Sequence, residues 1–298
     1  MPEIADTAIR LLRDYTQAHG TSGFESSVRD IFVRELKNID TRLATDKIGG
    51  VMCELQNGKA EPRVMLTAHM DEVGFIVQNI TPDGFIQFAP LGGWNEGTLQ
   101  AQRVRILSDN GKEYIGVIAS IPKHFAGGDH GTPGIDRMAI DIGAVNRAQV
   151  ENEFLIHIGS PIVPDGPFTP LANPRMFMAK AFDNRVGMAV LSQALNMIGQ
   201  TPSDLPNQVV GFATVQEEVG VRGAETASAL AKPDVAIVLE GPPADDSPGF
   251  NRIDSQGRLG GGVQIRVYDP TAIMSQPLVA LALETAKQEK IPFQLTVR

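Results

Sequence analysis

The sequence predicts an α/β fold: a mostly parallel sheet flanked by helices, with a small β-barrel inserted into it. Three observations predict it. Strand-like and helix-like segments alternate toward both ends of the chain, which implies parallel strands with helices on the faces of the sheet. From about Gly74 to Gly166 helical periodicity fades, and short apolar runs separated by turn signals replace it. Three apolar runs of the α/β part end on a histidine or an acidic residue, as strands do at a binding edge.

The elements follow in order. Ile4, Ala8, Ile9, Leu11, Leu12 and Tyr15 recur at helical spacing and predict an opening helix that stops by Gly20. "TSGFESSVRDIFVRELKNI" predicts a second helix, with Val28, Ile31, Phe32 and Leu36 on one face. An apolar strand from Val64 to Ala68 runs into His69. The inserted unit is read from "GFIVQNI", "GFIQFAP", "RVRILS", "YIGVIASI", "MAIDIGA" and "FLIHIGS", with hairpin signals at Pro82-Asp83-Gly84 and Asp109-Asn110-Gly111. Pro161, Pro164, Pro167, Pro170 and Pro174 then punctuate a return crossing. "FDNRVGMAVLSQALNMIG" predicts a helix whose inner stripe is Val186, Ala189, Val190, Ala194, Met197 and Ile198. "NQVVGFATVQEE" and "PDVAIVLE" predict strands on either side of the helix "RGAETASALA". "QPLVALALETAKQEK" predicts the last helix, before a strand at "PFQLTVR". The expected organisation is an α/β part in two pieces, residues 1–73 and 167–298, around an inserted barrel at 74–166.

Composition narrows the function. The chain has 298 residues, 42% hydrophobic and 20% charged, which is enough apolar material for a packed core rather than disorder. The net charge is −9, and no Lys/Arg block offers the basic patch that nucleic acid requires. Cys53 is the lone cysteine, so neither an internal disulfide nor a cysteine-rich zinc site is available. Its setting, "GGVMCEL", predicts a small buried hydrophobe in a strand. The amphipathic N-terminus lacks a signal-peptide layout, and no apolar stretch approaches a membrane span, so the cytoplasm is the expected location.

The chemistry collects at strand ends. "VMLTA" stops at His69 with Asp71 two residues on, "VVGFATVQ" stops at Glu217 and Glu218, and "VAIVL" stops at Glu240. Asp183 opens a helix that the strand-helix rhythm places at the same edge. Each has a plain structural reading as well. Asp183 can cap its helix, His69 can be a satisfied core histidine, and Asp71 can accept bonds in a turn. Glu217 and Glu218 can be solvated, and Glu240 can pair with Arg222. Together, however, so many carboxylates repel one another unless a cation compensates them. His, Asp and Glu without Cys suit a catalytic zinc, cobalt or manganese site. Such a site needs a base that is not itself a ligand, and two adjacent glutamates can divide those roles.

These residues resemble a known family. "AHMDEVG" (68–74), "AFDNRVG" (181–187), "TVQEEVGVRGA" (214–224) and "VLEGPPADDSPG" (238–249) are similar to motifs of the di-metal aminopeptidases of the tetrahedral or glutamyl-aminopeptidase type, some of which carry an endoglucanase label. The resemblance runs from the N-terminal helices to Arg298. It implies a zinc-exopeptidase-like fold with two divalent metal ions, zinc or cobalt. His69, Asp183 and Glu240 would hold one, Asp183 would bridge to a second that Glu218 also binds, Glu217 would be the general base, and Asp71 would orient the imidazole of His69. It also implies peptide substrates and a homo-oligomer, in which the inserted β domain forms dimers that build a dodecamer. His124, His130 and His157 are read as structural or surface residues.

Two departures are expected to matter. The family commonly has Asp where this chain has Glu240. It also has a Gly-Thr-Asp-rich segment followed by a metal-ligating histidine beyond the position of Arg298, and no histidine here stands in the place to substitute. The second metal site is therefore expected to be weak and this form impaired. The leading expectation is a metal-dependent aminopeptidase. A glycoside hydrolase using Glu217 with another carboxylate and a non-catalytic assembly protein are the alternatives.

Overall fold

The computed structural model describes residues 2–59, 61–120, 133–201, 205–250 and 255–297. His124 and His130, read above as structural or surface residues, lie outside them. The chain divides into two compact units, Met1–Gly241 and Pro242–Arg298.

The first unit opens with α1 (Pro2–Gln17) and α2 (Ser26–Glu35), followed by β1 (Thr41–Thr45), β2 (Val51–Leu55) and β3 (Arg63–His69). The barrel region carries β4 (Gly74–Ile80), β5 (Ile86–Leu91), β6 (Arg103–Leu107), β7 (Glu113–Ile118), β8 (Ile140–Asp141), α3 (Arg147–Asn152) and β9 (Pro161–Pro164). After it come β10 (Thr169–Pro170), β11 (Phe177–Met178), α4 (Phe182–Gly199), β12 (Gln208–Thr214), α5 (Arg222–Ala231) and β13 (Val235–Val238).

The five-stranded sheet has the order β1-β2-β12-β3-β13. Strands β12, β3 and β13 are parallel, and the β1-β2 hairpin extends the sheet antiparallel from β12. Period-two alternation divides its side chains between two cores. Val51, Cys53, Leu55, Ala68, Val209 and Ala213 pack on one face with Leu11 and Tyr15 of α1, Val28 and Phe32 of α2, and Met188, Leu191 and Leu195 of α4. Met52, Met65, Val210 and Phe212 pack on the other face with Ala227 and Ala231 of α5. Cys53 is fully buried in β2, and burial pushes its thiol up to about 12, so it is an inert hydrophobe.

The α4 stripe differs from expectation. Val190 and Met197, predicted to face inward, are 46% and 56% exposed, and Met188, Leu191 and Leu195 are buried instead. The helix packs against both the sheet and α1, so its inner face is centred on the 188–191–195 row. Tyr15 adds a hydroxyl contact to Ser192 Oγ at 2.6 Å within that interface.

β4, β5, β8, β7, β6 and β9 close into a barrel. Phe75, Val77, Ile86, Phe88, Val104, Ile106, Ile118 and Ile140 fill it. Both predicted turns form: Gly84 and Gly111 take φ of +85° and +80° at the β4-β5 and β6-β7 connections, a region glycine enters without a Cβ penalty. Two expectations are corrected. "FLIHIGS" is not a strand, because Leu155 and Gly159 take left-handed φ values of +54° and +95° and break the extended run. Ile156 turns inward and is buried, while Ile158 is exposed. The closing strand is β9, within the stretch read as a return crossing. Its prolines stand at its first and last residues, where a missing N–H is tolerated, and Ile162 pairs with both Phe75 and Ile106.

The second unit carries β14 (Val263–Asp269), β15 (Ala272–Ile273), α6 (Gln276–Gln288) and β16 (Phe293–Val297). β14 pairs in parallel with β16 and antiparallel with β15.

Candidate active site

The parallel strands bring their carboxyl ends into register. His69 is the last residue of β3 and lies opposite Thr214, the last of β12, while Val238 of β13 pairs with Thr67. Two bonds continue the sheet past these ends, Met70 N–H to the Thr214 carbonyl and Leu239 N–H to the Thr67 carbonyl, each at 2.8 Å. Glu240 follows directly. Asp183 enters from the first turn of α4, where Asn184 fixes the local path: its Nδ2 donates to the Leu239 carbonyl at 2.8 Å and its Oδ1 accepts from Gly187 N at 3.0 Å. Asn184 thus ties the residue after Asp183 to the residue before Glu240.

The five predicted acids gather around the imidazole of His69. His69 Nε2 lies 3.2 Å from Asp183 Oδ1, 3.6 Å from Glu240 Oε2 and 3.9 Å from Glu217 Oε2. On the other side of the ring, Nδ1 is 3.4 Å from Asp71 Oδ1, in ion-pair contact without hydrogen-bond alignment. Ligand atoms of His69, Asp183 and Glu240 lie within 4.8 Å of one another, and so do those of His69, Glu217 and Glu218. Arg222, the structural alternative for Glu240, instead reaches Gln216 Oε1 at 3.3 Å.

The charges are strongly coupled. Burial opposes a charge on His69, but Asp183, Asp71 and Glu240 outweigh it and raise the imidazole to about 12. Burial also works against the Asp71 carboxylate, yet His69, the Ser22 hydroxyl and the Glu217 N–H hold it below the usual carboxylate range. Burial, then the charge of Asp183, pushes Glu218 up to about 7. Burial likewise raises Glu217, opposed by His69 and reinforced by Glu240.

Several supporting residues escaped the sequence reading. Asp71 was expected to orient His69, but its two oxygens also accept the backbone N–H groups of Glu217 at 2.9 Å and Glu218 at 3.1 Å. Ser22 Oγ donates to the same carboxylate at 2.6 Å. Beneath the site, Glu72 Oε1 accepts from Lys180 Nζ at 2.5 Å and Arg185 Nη2 at 3.0 Å, all three side chains being buried. Lys180 and Arg185 bracket Asp183 in sequence and Glu72 follows Asp71, so this cluster ties together the two segments that carry those acids. The local signal, charged residues beside the "HMDE" and "FDNR" motifs, was present, but nothing in it says which charge meets which.

A histidine ringed by carboxylates at the carboxyl edge of an α/β sheet, together with an inserted closed barrel, defines an α/β protein with a donor set able to hold a divalent cation. Residues 49–298 match the model of the M42 glutamyl aminopeptidases, and the chain belongs to that family. It is 34% identical over 283 residues to the glutamyl aminopeptidase of Lactococcus lactis subsp. cremoris, covering 94% of this chain and 78% of that one. The TET aminopeptidase from a marine-sediment Thaumarchaeota archaeon superposes with a TM-score of 0.92 at 39% identity, over 98% of this chain and 81% of that one. The TET1 peptidase of Pyrococcus horikoshii, described as able to assemble into a tetrahedron or a large octahedral shell, gives 0.83 at 29% identity, over 97% and 84%.

Proposed function

We propose that the chain removes N-terminal residues from peptides in a metal-dependent reaction. In this reading His69, Asp183 and Glu240 hold one divalent ion, zinc or cobalt. Asp183 would also help hold a second ion together with Glu218, Glu217 would be the general base, and Asp71 would orient His69. The observation that carries it is the convergence on His69 Nε2 of Asp183, Glu240 and Glu217 within 3.9 Å. The donor set fits such an ion: one imidazole and carboxylate oxygens, with no thiol, gathered at spacings that allow shared coordination. A divalent ion there supplies a Lewis acid and lowers the pKa of water.

The protein's own groups do the rest. Asp71, fully buried, places its charge 3.4 Å from Nδ1, behind the ring whose Nε2 faces Asp183, Glu240 and Glu217. The Glu217 side chain remains 36% exposed and can meet a substrate arriving from solvent. Burial raises its proton affinity, the direction that suits a group meant to accept a proton from water and return it to the leaving amine. Residues 1–73 and 167–298 would form the catalytic part, and the barrel region 74–166 would join copies of the chain into dimers and then a dodecamer. The shell-forming TET1 relative supports that assembly. Among the described residues no helix is long and apolar enough to cross a membrane, which fits a cytoplasmic enzyme.

Hydrolysis of amino-acid arylamides tests the reading. Activity should be lost in EDTA and return with zinc or cobalt. Activity on glycosides that survives EDTA would favour the glycoside hydrolase instead. Arylamides left intact with either metal would favour a non-catalytic assembly protein.

A further inference from the structure

We propose that Glu25 is a positioning residue that holds the Glu217–Glu218 turn in its working conformation by capturing the Gln216 N–H. This rests on the roles proposed above for Glu217 and Glu218.

The turn has a geometric problem to solve. β12 ends at Thr214, and an extended continuation would send Glu217 and Glu218 to opposite faces. Gln216 breaks the alternation by taking φ of +54°, a left-handed conformation unfavourable for a residue with a Cβ. Something must hold it there. Three successive backbone N–H groups then face two buried carboxylates. Gln216 N donates to Glu25 Oε1 at 3.1 Å, Glu217 N to Asp71 Oδ1 at 2.9 Å, and Glu218 N to Asp71 Oδ2 at 3.1 Å. Successive N–H groups of this kind form a concavity suited to negative charge.

Glu25 is only 6% exposed, and the same oxygen also accepts Gly23 N at 2.8 Å. A buried carboxylate is costly without compensation. Burial is the largest influence on Glu25 and raises its proton affinity, and the N–H groups of Gly23 and Gln216 offset part of that cost. The residue stands immediately before α2, whose Val28 and Phe32 are locked in the core. The helix thereby gives the carboxylate a fixed platform from which to hold a turn 191 residues away in sequence.

The test compares the affinity for the second zinc equivalent, the one assigned to Glu218, by competition with a chromophoric chelator, and thermal midpoint in the whole chain. Wild type is set beside Glu25→Ala, Glu25→Asp, Glu25→Gln, Glu218→Gln and Ile106→Val. Glu25→Ala and the shortened Glu25→Asp should each weaken zinc binding by about ten- to hundredfold, the usual scale for losing a support of a metal ligand. They should also shift the visible absorption of the cobalt form. Glu25→Gln keeps an oxygen for the same two N–H groups and should stay close to wild type. Ile106→Val loosens the barrel core and should lower the midpoint without touching affinity. If Glu25→Ala does not fold, Glu25→Asp carries the same expectation. The inference is overturned if both shortened variants bind zinc like wild type, if Glu25→Gln falls as far as they do, or if Ile106→Val weakens binding equally. Glu218→Gln separates the two levels. Unchanged affinity in that variant sinks the ligand assignment itself, whereas weakened affinity there with none in Glu25→Ala or Glu25→Asp sinks only the role of Glu25.

Discussion

Glu217 and Glu218 are neighbours with different surroundings. Glu218 is raised to about 7 by burial and then by Asp183, and the Glu217 side chain is 36% exposed. Glu217→Gln should therefore abolish arylamide turnover while leaving metal content intact, as metal analysis of the purified variant will show. Loss of metal in that variant would mean the two roles are exchanged. His19 offers a pH prediction away from these acids. Burial, reinforced by Lys180, Arg105 and Arg185, lowers its pKa to about 3. A base whose folded pKa is depressed binds fewer protons folded than unfolded between that value and about 6.5, so stability rises with pH across the window. Acidification from pH 7 to 4 should cost on the order of 3 kcal/mol through His19 alone, at about 1.4 kcal/mol per unit. Urea titrations of wild type and His19→Gln at both pH values should differ by that slope. Glu217 and Glu218 were visible in the sequence as candidate site residues, whereas nothing in it singled out His19. The proton affinities of all three were not visible, because these come from charges many residues away.

At the scale of elements, α4 and β12 set the site's foundation. Leu195 of α4 is fully buried where Gly211 of β12 leaves no side chain in its way. Leu195→Ala should cost about 2–5 kcal/mol, measured by urea unfolding. α5 starts from Val221, a half-exposed β-branched residue at φ +56°. Asparagine tolerates that conformation better, so Val221→Asn should stabilise by about 1 kcal/mol, read as a rise in thermal midpoint. The helices and core strands were legible because their apolar spacing is local. The inner stripe of α4 was misread because Val190 and Met197 are as apolar as Leu191 and Leu195, and only the packing of α1 and the sheet chooses between the two rows. "FLIHIGS" failed similarly: its alternation suits a strand, but β9 takes the place between β4 and β6.

For the whole molecule, the barrel and the α/β part make different predictions. If the barrel joins copies of the chain, light scattering should report an assembly larger than the 32.0 kDa chain. EDTA should suppress turnover through the site on the α/β sheet without touching the barrel, so the assembly should persist in chelator.

By itself the sequence determined the alternation of strands and helices, the barrel's hairpin turns and the acidic strand ends with His69 among them. Each is encoded in side-chain spacing over a few residues. Only the tertiary structure decided how the site is held: the left-handed Gln216, the grip of Asp71 on the Glu217 and Glu218 peptides, and the burial of Glu72 between Lys180 and Arg185. Asp71 and Glu217 are 146 residues apart in the chain. A hydrogen bond across that distance follows from which strands become neighbours, and no local pattern of residues specifies it.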